Sequence, residues 1–288
     1  MKVLLLGASG YMGEPLLKEL KKNSYFSEVF SISRNETGID QENHFVCDIK
    51  NKESFHLALK TIKPNVIIDM INFSEEDSNR IIELYEEGIL DYLEHYLVIS
   101  SFFVYKYFDL NIYREKQLDI SKFNKEISDS YSQRKIEMEC ALYKSKLYTI
   151  SSIARLPYVF SHNDKTGRFQ SMCKVSTKSD RTSLDNKTKF SMISNSFAVS
   201  SLSYLACHEP CGIVDLANTG CLTSFEISEI ICNKNLINSL KNLSSVEDNP
   251  YILAKSLCIE TNKVPKKSSL VESIKHESEL YFRNLENI

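Results

Sequence analysis

Two rhythms of apolar and polar residues alternate along the first half of the chain. Short apolar runs lie at Lys2 to Leu6, Glu28 to Ser33, His44 to Cys47, Asn65 to Ile71 and Tyr96 to Ser100. A strand covered on both faces needs apolar residues at nearly every position, so these runs predict buried parallel strands. Between them, Glu14 to Lys22, Lys52 to Lys60 and Glu75 to Leu90 carry their apolar residues at helical spacing, as Leu16, Leu17 and Leu20 do. Strands and helices alternating through short loops predict an α/β fold built on a doubly wound parallel sheet.

The second half is less regular. Strand patterns recur at Lys189 to Ile193 and Gly212 to Ala217, and helical patterns at Phe197 to Cys207, Ser224 to Cys232 and Ser268 to Asn287. Thr223 or Ser224, with Glu226 near by, supplies a helix cap. Asn233 to Asn262 is polar and yields no assignment. The expected division is a nucleotide-binding domain over 1–160 and a smaller mixed α/β region over 161–288 that receives the substrate. The strands near 189–193 and 212–217 are expected to return to the main sheet.

The first strand leads straight into Gly7-x-x-Gly10-x-x-Gly13, and a helix opens there. Glycines let the backbone approach a pyrophosphate, and the helix start offers free N–H groups and a partial positive charge. Gly7, Ser9, Gly10, Tyr11, Met12 and Gly13 are therefore candidate cofactor contacts, and the fold is expected to be Rossmann-type. An NAD site needs an acid at the tip of the second strand, to hold the ribose 2′-hydroxyl. Here that strand runs into Arg34, with no carboxylate at its tip. Arg34 suits a 2′-phosphate, so NADP is favoured over NAD; the alternative gives the ribose to Glu36. Asp48, followed by Ile49, either accepts from the adenine amino group or caps the helix after it. Asn72 and Ser101 end the fourth and fifth strands on the same sheet edge, where such folds bind ligands.

Tyr131 and Lys135 are four apart on a helix capped by Asp129 or Ser130, so they share a face. A nearby ammonium favours a phenolate, which would make Tyr131 a general acid or base near neutral pH. A surface Tyr/Lys pair is ordinary in a chain with 15 tyrosines. Its place after a nucleotide cradle and Ser100-Ser101 gives it chemical meaning.

Those residues together resemble the extended branch of the short-chain dehydrogenase/reductase superfamily, the nucleotide-sugar epimerase and reductase group. The resemblance covers the first 160 residues well and the rest loosely. It rests on Gly7-x-x-Gly10-x-x-Gly13, on Ser101 three residues before Val104-Tyr105, on Tyr131-x-x-x-Lys135 and on Arg155-Leu-Pro157-Tyr-Val159-Phe160. It implies that Tyr131 exchanges a proton with the substrate hydroxyl and that Ser101 orients the reacting oxygen. Lys135 would hold the nicotinamide ribose and tune Tyr131, and Pro157 and Val159 would pass over the nicotinamide. Two positions and one segment depart from the family pattern. Lys106 and Ser161 stand where glycine is usual, and Asp69-Met-Ile-Asn72-Phe replaces small residues beside the cofactor. Phe102-Phe103 stands where sugar 4,6-dehydratases carry Asp-Glu, which disfavours a dehydratase.

Composition narrows the rest. The chain has 288 residues, 42% hydrophobic content and a net charge of −3. No apolar run reaches the ~18 residues of a membrane span. The first strand begins at residue 2, leaving no signal or transit peptide before it, so a cytoplasmic enzyme is expected. The pI of about 6.1 gives no footprint for nucleic acid. The eight cysteines are expected to be reduced. Cys207-His-Glu-Pro-Cys211 with Cys221 matches no common zinc spacing, so no metal is expected.

Thr166 to Lys189 is locally basic, which suits a diphosphate-bearing substrate. Arg168 and Arg181 are candidate substrate contacts there, with Phe102 and Phe103 after the fifth strand. The expected partner is a nucleotide-sugar, and the resemblance implies a possible homodimer through Glu75–Leu90 and Asp129–Tyr143. The expected reaction is NADPH-dependent reduction of a nucleotide-linked keto-sugar. The alternatives are an epimerase holding NAD tightly, or a non-catalytic relative that senses the cofactor or binds RNA. The intact Ser101, Tyr131 and Lys135 weigh against the last, since a binding module has no chemical need for them.

Overall fold

The apolar runs become β1 (Lys2–Leu6), β2 (Glu28–Ser33), β3 (His44–Val46), β4 (Val66–Asp69) and β5 (His95–Ser101). β6 (Ser151–Leu156), β7 (Tyr158–Phe160), β8 (Met192–Ser194) and β9 (Gly212–Asp215) follow. The helices are α1 (Gly13–Lys22), α2 (Lys52–Ile62), α3 (Glu75–Glu86), α4 (Ser130–Lys144), α5 (Arg168–Ser176), α6 (Asn195–Ala206), α7 (Ser224–Ile231) and α8 (Leu270–Glu286). The computed structural model describes residues 1–34, 43–107, 130–177, 184–232, 263–265 and 267–286. Among these, no helix is long and apolar enough to cross a membrane.

Among the described residues, seven parallel strands form the main sheet in the order β3-β2-β1-β4-β5-β6-β9. This is the Rossmann-type arrangement. β1 pairs with β2 on one side and β4 on the other, with Leu6 opposite both Ile32 and Asp69. The strand order reverses between β1 and β4, which leaves a crevice at their carboxyl ends.

β1 explains the sheet's two-sided core. Val3 and Leu5 pack with Leu16, Leu17 and Leu20 of α1 and with Leu202 of α6. Leu4 and Leu6 pack on the other face, with Phe55 and Leu59 of α2 and Ile81 of α3. Each such side chain is fully buried and contributes about 1.5–3 kcal/mol. A third core, including Phe160, Phe169, Phe190 and Phe282, joins β7, α5 and α8 in the second half.

Several expectations change. The strand expected at 189–193 shortens to β8 and leaves the main sheet, pairing in parallel with β7 in a separate two-stranded sheet. Pro157 stands between β6 and β7; it has no N–H to offer a ladder, and the chain leaves the main sheet there. β9 joins the main sheet beside β6. α3 ends at Glu86 instead of reaching Leu90. Gly88 adopts φ +75°, and Ile89 N–H bonds back to the Leu84 carbonyl, a left-handed helix stop. The basic stretch after Thr166 contains a helix, α5, which buries Phe169, Met172, Cys173 and Val175. Cys221 is disulfide-bonded, contrary to the expectation of reduced thiols, whereas Cys207 and Cys211 are free.

Candidate active site

The glycine turn is sterically committed. Gly7 has φ +92°, and a Cβ there would come within 2.8 Å of Ile71 Cγ2. A Cβ on Gly13 would lie 2.1 Å from the Gly7 carbonyl oxygen. Gly10 N–H donates to the Gly7 carbonyl at 3.1 Å and closes the turn. Met12 stands at the N-cap of α1 without a side-chain cap. The N–H groups of Tyr11, Met12 and Gly13 have no partner among the described residues. Free amides at a helix start favour an anion, so the turn fits the pyrophosphate of a dinucleotide.

Two cavities flank this turn. The first, about 610 Å³, is lined by Gly7, Ser9, Arg34, Asp48, Ile49 and Phe73, among others. Arg34 is exposed there, at the end of β2. Asp48 does not cap α2: the Asn51 side chain accepts from Ser54 N–H, while Asp48 Oδ1 accepts from Lys50 N–H at 3.0 Å. Asn72 departs from expectation. It is buried, and its amide donates to Ser78 Oγ and the Tyr96 hydroxyl, both at 3.1 Å. With those partners inside, it faces the core, and its neighbours Ile71 and Phe73 line the cavity instead.

The second cavity, about 540 Å³, is lined by Tyr11, Met12, Ser101, Tyr131, Pro157 and Val159, and also by Phe103, Thr166 and Arg168. The Tyr131 hydroxyl is hydrogen-bonded to Ser101. Tyr131 is 40% exposed, while Ser101 is buried beneath it. Burial holds the Tyr131 phenol above its ordinary range; the Ser101 hydrogen bond and the charges of Arg168 and Arg134 pull it down. The expectation that Lys135 supplies the lowering charge is therefore corrected. Lys135 is buried and donates to the carbonyls of Asn72 at 2.6 Å and Ile99 at 2.8 Å. Desolvation brings its ammonium down to about 8, against the opposing pull of Asp69 and Glu139. The Phe73 ring lies 4.8 Å from its Nζ, a cation–π contact.

Other candidates separate. Phe102 is not a cavity residue: it is fully buried with Val104, Tyr105 and Ile136. Residues Phe102–Tyr107 form a 3-10 turn, in which consecutive side chains point in different directions, so Phe103 reaches the cavity alone. Arg168 opens α5, lies 5.8 Å from the Tyr158 ring and has no carboxylate partner among the described residues. Arg181 lies outside the described residues. Ser161, where the family has glycine, accepts from the Tyr11 hydroxyl at 2.7 Å and donates to Asn163 Oδ1 at 2.6 Å. It ties the glycine turn to the second half of the molecule.

Sequence reasoning missed the support beneath the pair. Glu139 follows Lys135 by one helical turn and is buried in α4. It accepts from Ser100 Oγ and from Arg155 Nε at 3.0 Å. Arg155 is fully buried, its guanidinium 4.7 Å from the Tyr105 ring. Tyr105 in turn donates to Asp215 Oδ2 at 2.7 Å. The network ties α4 to β5, β6 and β9 directly below Ser101. The visible signal was the recurrence of polar residues at 131, 135 and 139 along one helix face.

Residues 3–172 match the sequence profile of the NAD dependent epimerase/dehydratase family. The chain belongs to that family. Membership makes it an NAD(P)-dependent enzyme of the short-chain dehydrogenase/reductase type, with a nicotinamide dinucleotide as cofactor. Similar solved structures include UDP-N-acetylglucosamine 4-epimerase from Bacillus cereus, at TM-score 0.69 and 12% identity, covering 98% of this chain and 99% of that one. dTDP-glucose 4,6-dehydratase from Bacillus anthracis in complex with NAD matches at TM-score 0.70 and 15% identity, covering 99% and 98%. dTDP-4-dehydrorhamnose reductase from Bacillus anthracis in complex with NADP matches at TM-score 0.68 and 15% identity, covering 96% of each chain. At these identities the likeness speaks for the fold. No curated protein sequence matches the chain.

Proposed function

We propose that this family member is an NADPH-dependent reductase of a nucleotide-linked keto-sugar. One observation carries the reading: the hydrogen-bonded Ser101 and Tyr131 hydroxyls open into a cavity that shares the glycine turn with a second, dinucleotide-sized cavity. NADP is favoured over NAD because Arg34 lines the dinucleotide cavity at the end of β2, whose tip carries no carboxylate.

Gly7, Ser9, Gly10, Tyr11, Met12 and Gly13 would hold the pyrophosphate. Asp48 and Ile49 would meet the adenine, and Pro157 and Val159 the nicotinamide. When bound, the cofactor supplies the hydride. Ser101 hydrogen-bonds the substrate's carbonyl oxygen and orients it. Tyr131 gives that oxygen its proton, and Arg168 holds a negative group of the substrate. An ammonium has three donors, and Lys135 spends two on the carbonyls of Asn72 and Ile99. Its Nζ is buried, lies over the Phe73 ring and lines neither cavity, so Lys135 acts by fixing the helix that carries Tyr131 and not by holding the ribose.

A second reading is an epimerase that keeps its NAD. It uses the same Tyr131 and Ser101, and UDP-N-acetylglucosamine 4-epimerase shares the fold. The test is NADPH oxidation in the presence of nucleotide-linked keto-sugars. Stoichiometric oxidation with a reduced sugar supports the reductase. Sugar isomerisation with no net cofactor consumption rejects it in favour of the epimerase.

A further inference from the structure

Arg134 sits between Tyr131 and Lys135 on α4, and each of the three meets a different environment. Tyr131 opens into the second cavity and Lys135 is buried. Arg134 is exposed and lines the first cavity, together with Gly7 and Ser9 of the turn. It has no carboxylate partner among the described residues. The acid that shares its part of the cavity, Asp77, is already taken. Asp77 pairs with Arg80 at 3.0 Å and accepts from Phe73 N–H and Ser74 Oγ, both also at 3.0 Å. The cavity's other carboxylate, Asp48, accepts from its own loop through Lys50 N–H.

The cavity therefore joins one side of the glycine turn, Gly7 and Ser9, to a guanidinium with no carboxylate partner among the described residues. A guanidinium presents a planar fork of donors that matches phosphate oxygens. We infer that Arg134 is a phosphate-holding residue of the dinucleotide cavity, acting with the glycine turn on the cofactor's phosphates. This rests on the reading of that cavity as the cofactor site. Two phosphates are within the same chemistry: the pyrophosphate common to NAD and NADP, and the 2′-phosphate of NADP alone. Arg134 follows Tyr131 by three residues on α4, and its charge also acts on that phenol.

The test is fluorescence titration of the purified protein, Arg134→Gln and Arg134→Lys with NADPH and with NADH. Arg134→Gln should raise Kd by roughly tenfold or more, the scale of a lost charge-assisted hydrogen bond. An equal rise for both cofactors identifies the pyrophosphate as its ligand. A rise for NADPH alone identifies the 2′-phosphate. Arg134→Lys should recover part of the loss, because it keeps the charge but not the fork. Because Arg134 is exposed and has no carboxylate partner among the described residues, thermal melting of both variants should match that of the parent protein. Unchanged affinity for both cofactors in Arg134→Gln, with the parent protein binding normally, overturns the inference. A parent protein that binds neither cofactor overturns the cofactor-site reading, and this inference falls with it.

Discussion

Tyr131 and Lys135 share a helix face but meet different surroundings. Tyr131 is partly exposed beside Ser101, while Lys135 is buried among backbone carbonyls. The spacing in the sequence was enough to find the pair, because four residues make one turn of any helix. It could not say where the ammonium points, because that depends on the carbonyls at the ends of β4 and β5. Asn72 and Phe102 misled for the same reason. Each stands at the right place in the chain, but its side chain found better partners in the core. Tyr131→Phe should abolish turnover, lowering it by a factor of about 10³ or more, as loss of a general acid does. Its cofactor Kd should stay within about twofold, since the ring remains and only the hydroxyl is lost. Steady-state kinetics with a parallel cofactor titration checks this, and retained turnover would remove Tyr131 from the proton-transfer role.

At the scale of elements, legibility followed the strength of the period. β1, α1 and the turn between them are written in consecutive residues, and the structure keeps them nearly as read. α5 was hidden because Arg168 and Lys174 interrupt its apolar stripe, although Phe169, Met172 and Cys173 are fully buried. β8 was visible as a strand but not its partner, since pairing between distant segments leaves no local mark. The glycine turn gives the sharpest prediction at this scale. A methyl group at Gly13 would meet the Gly7 carbonyl at 2.1 Å, so Gly13→Ala must open the turn. It should weaken binding of both cofactors by more than about tenfold and cost roughly 1–3 kcal/mol of stability. Cofactor titration and urea unfolding check the two parts, and wild-type affinity would show that the turn does not carry the pyrophosphate.

Across the whole molecule, the sheet separates the site at its carboxyl edge from a stabilising layer at the other. His95 begins β5 at that far edge, buried, with Nε2 2.8 Å from Ser152 Oγ. Burial lowers its pKa from the usual 6.5 to about 4. Between those values the unfolded chain takes up a proton that the fold refuses, so stability is fully present above about 6.5 and falls as pH drops toward 4. The loss is bounded by about 3 kcal/mol, because each tenfold difference in proton affinity between the folded and unfolded chain is worth ~1.4 kcal/mol. Urea unfolding across this window should show a steeper acid loss for the parent protein than for His95→Gln. Parallel curves would mean that His95 is solvated in the fold.

The cofactor decides between the readings of the whole molecule. The most direct measurement is titration of the purified protein and of Arg34→Ala with NADPH and NADH, followed by nicotinamide fluorescence after any co-purified cofactor is identified. Tight, exchangeable NADPH binding, weaker NADH binding, and loss of that preference in Arg34→Ala is the expected result. Co-purified NAD that does not exchange, or a preference unchanged in Arg34→Ala, would contradict it.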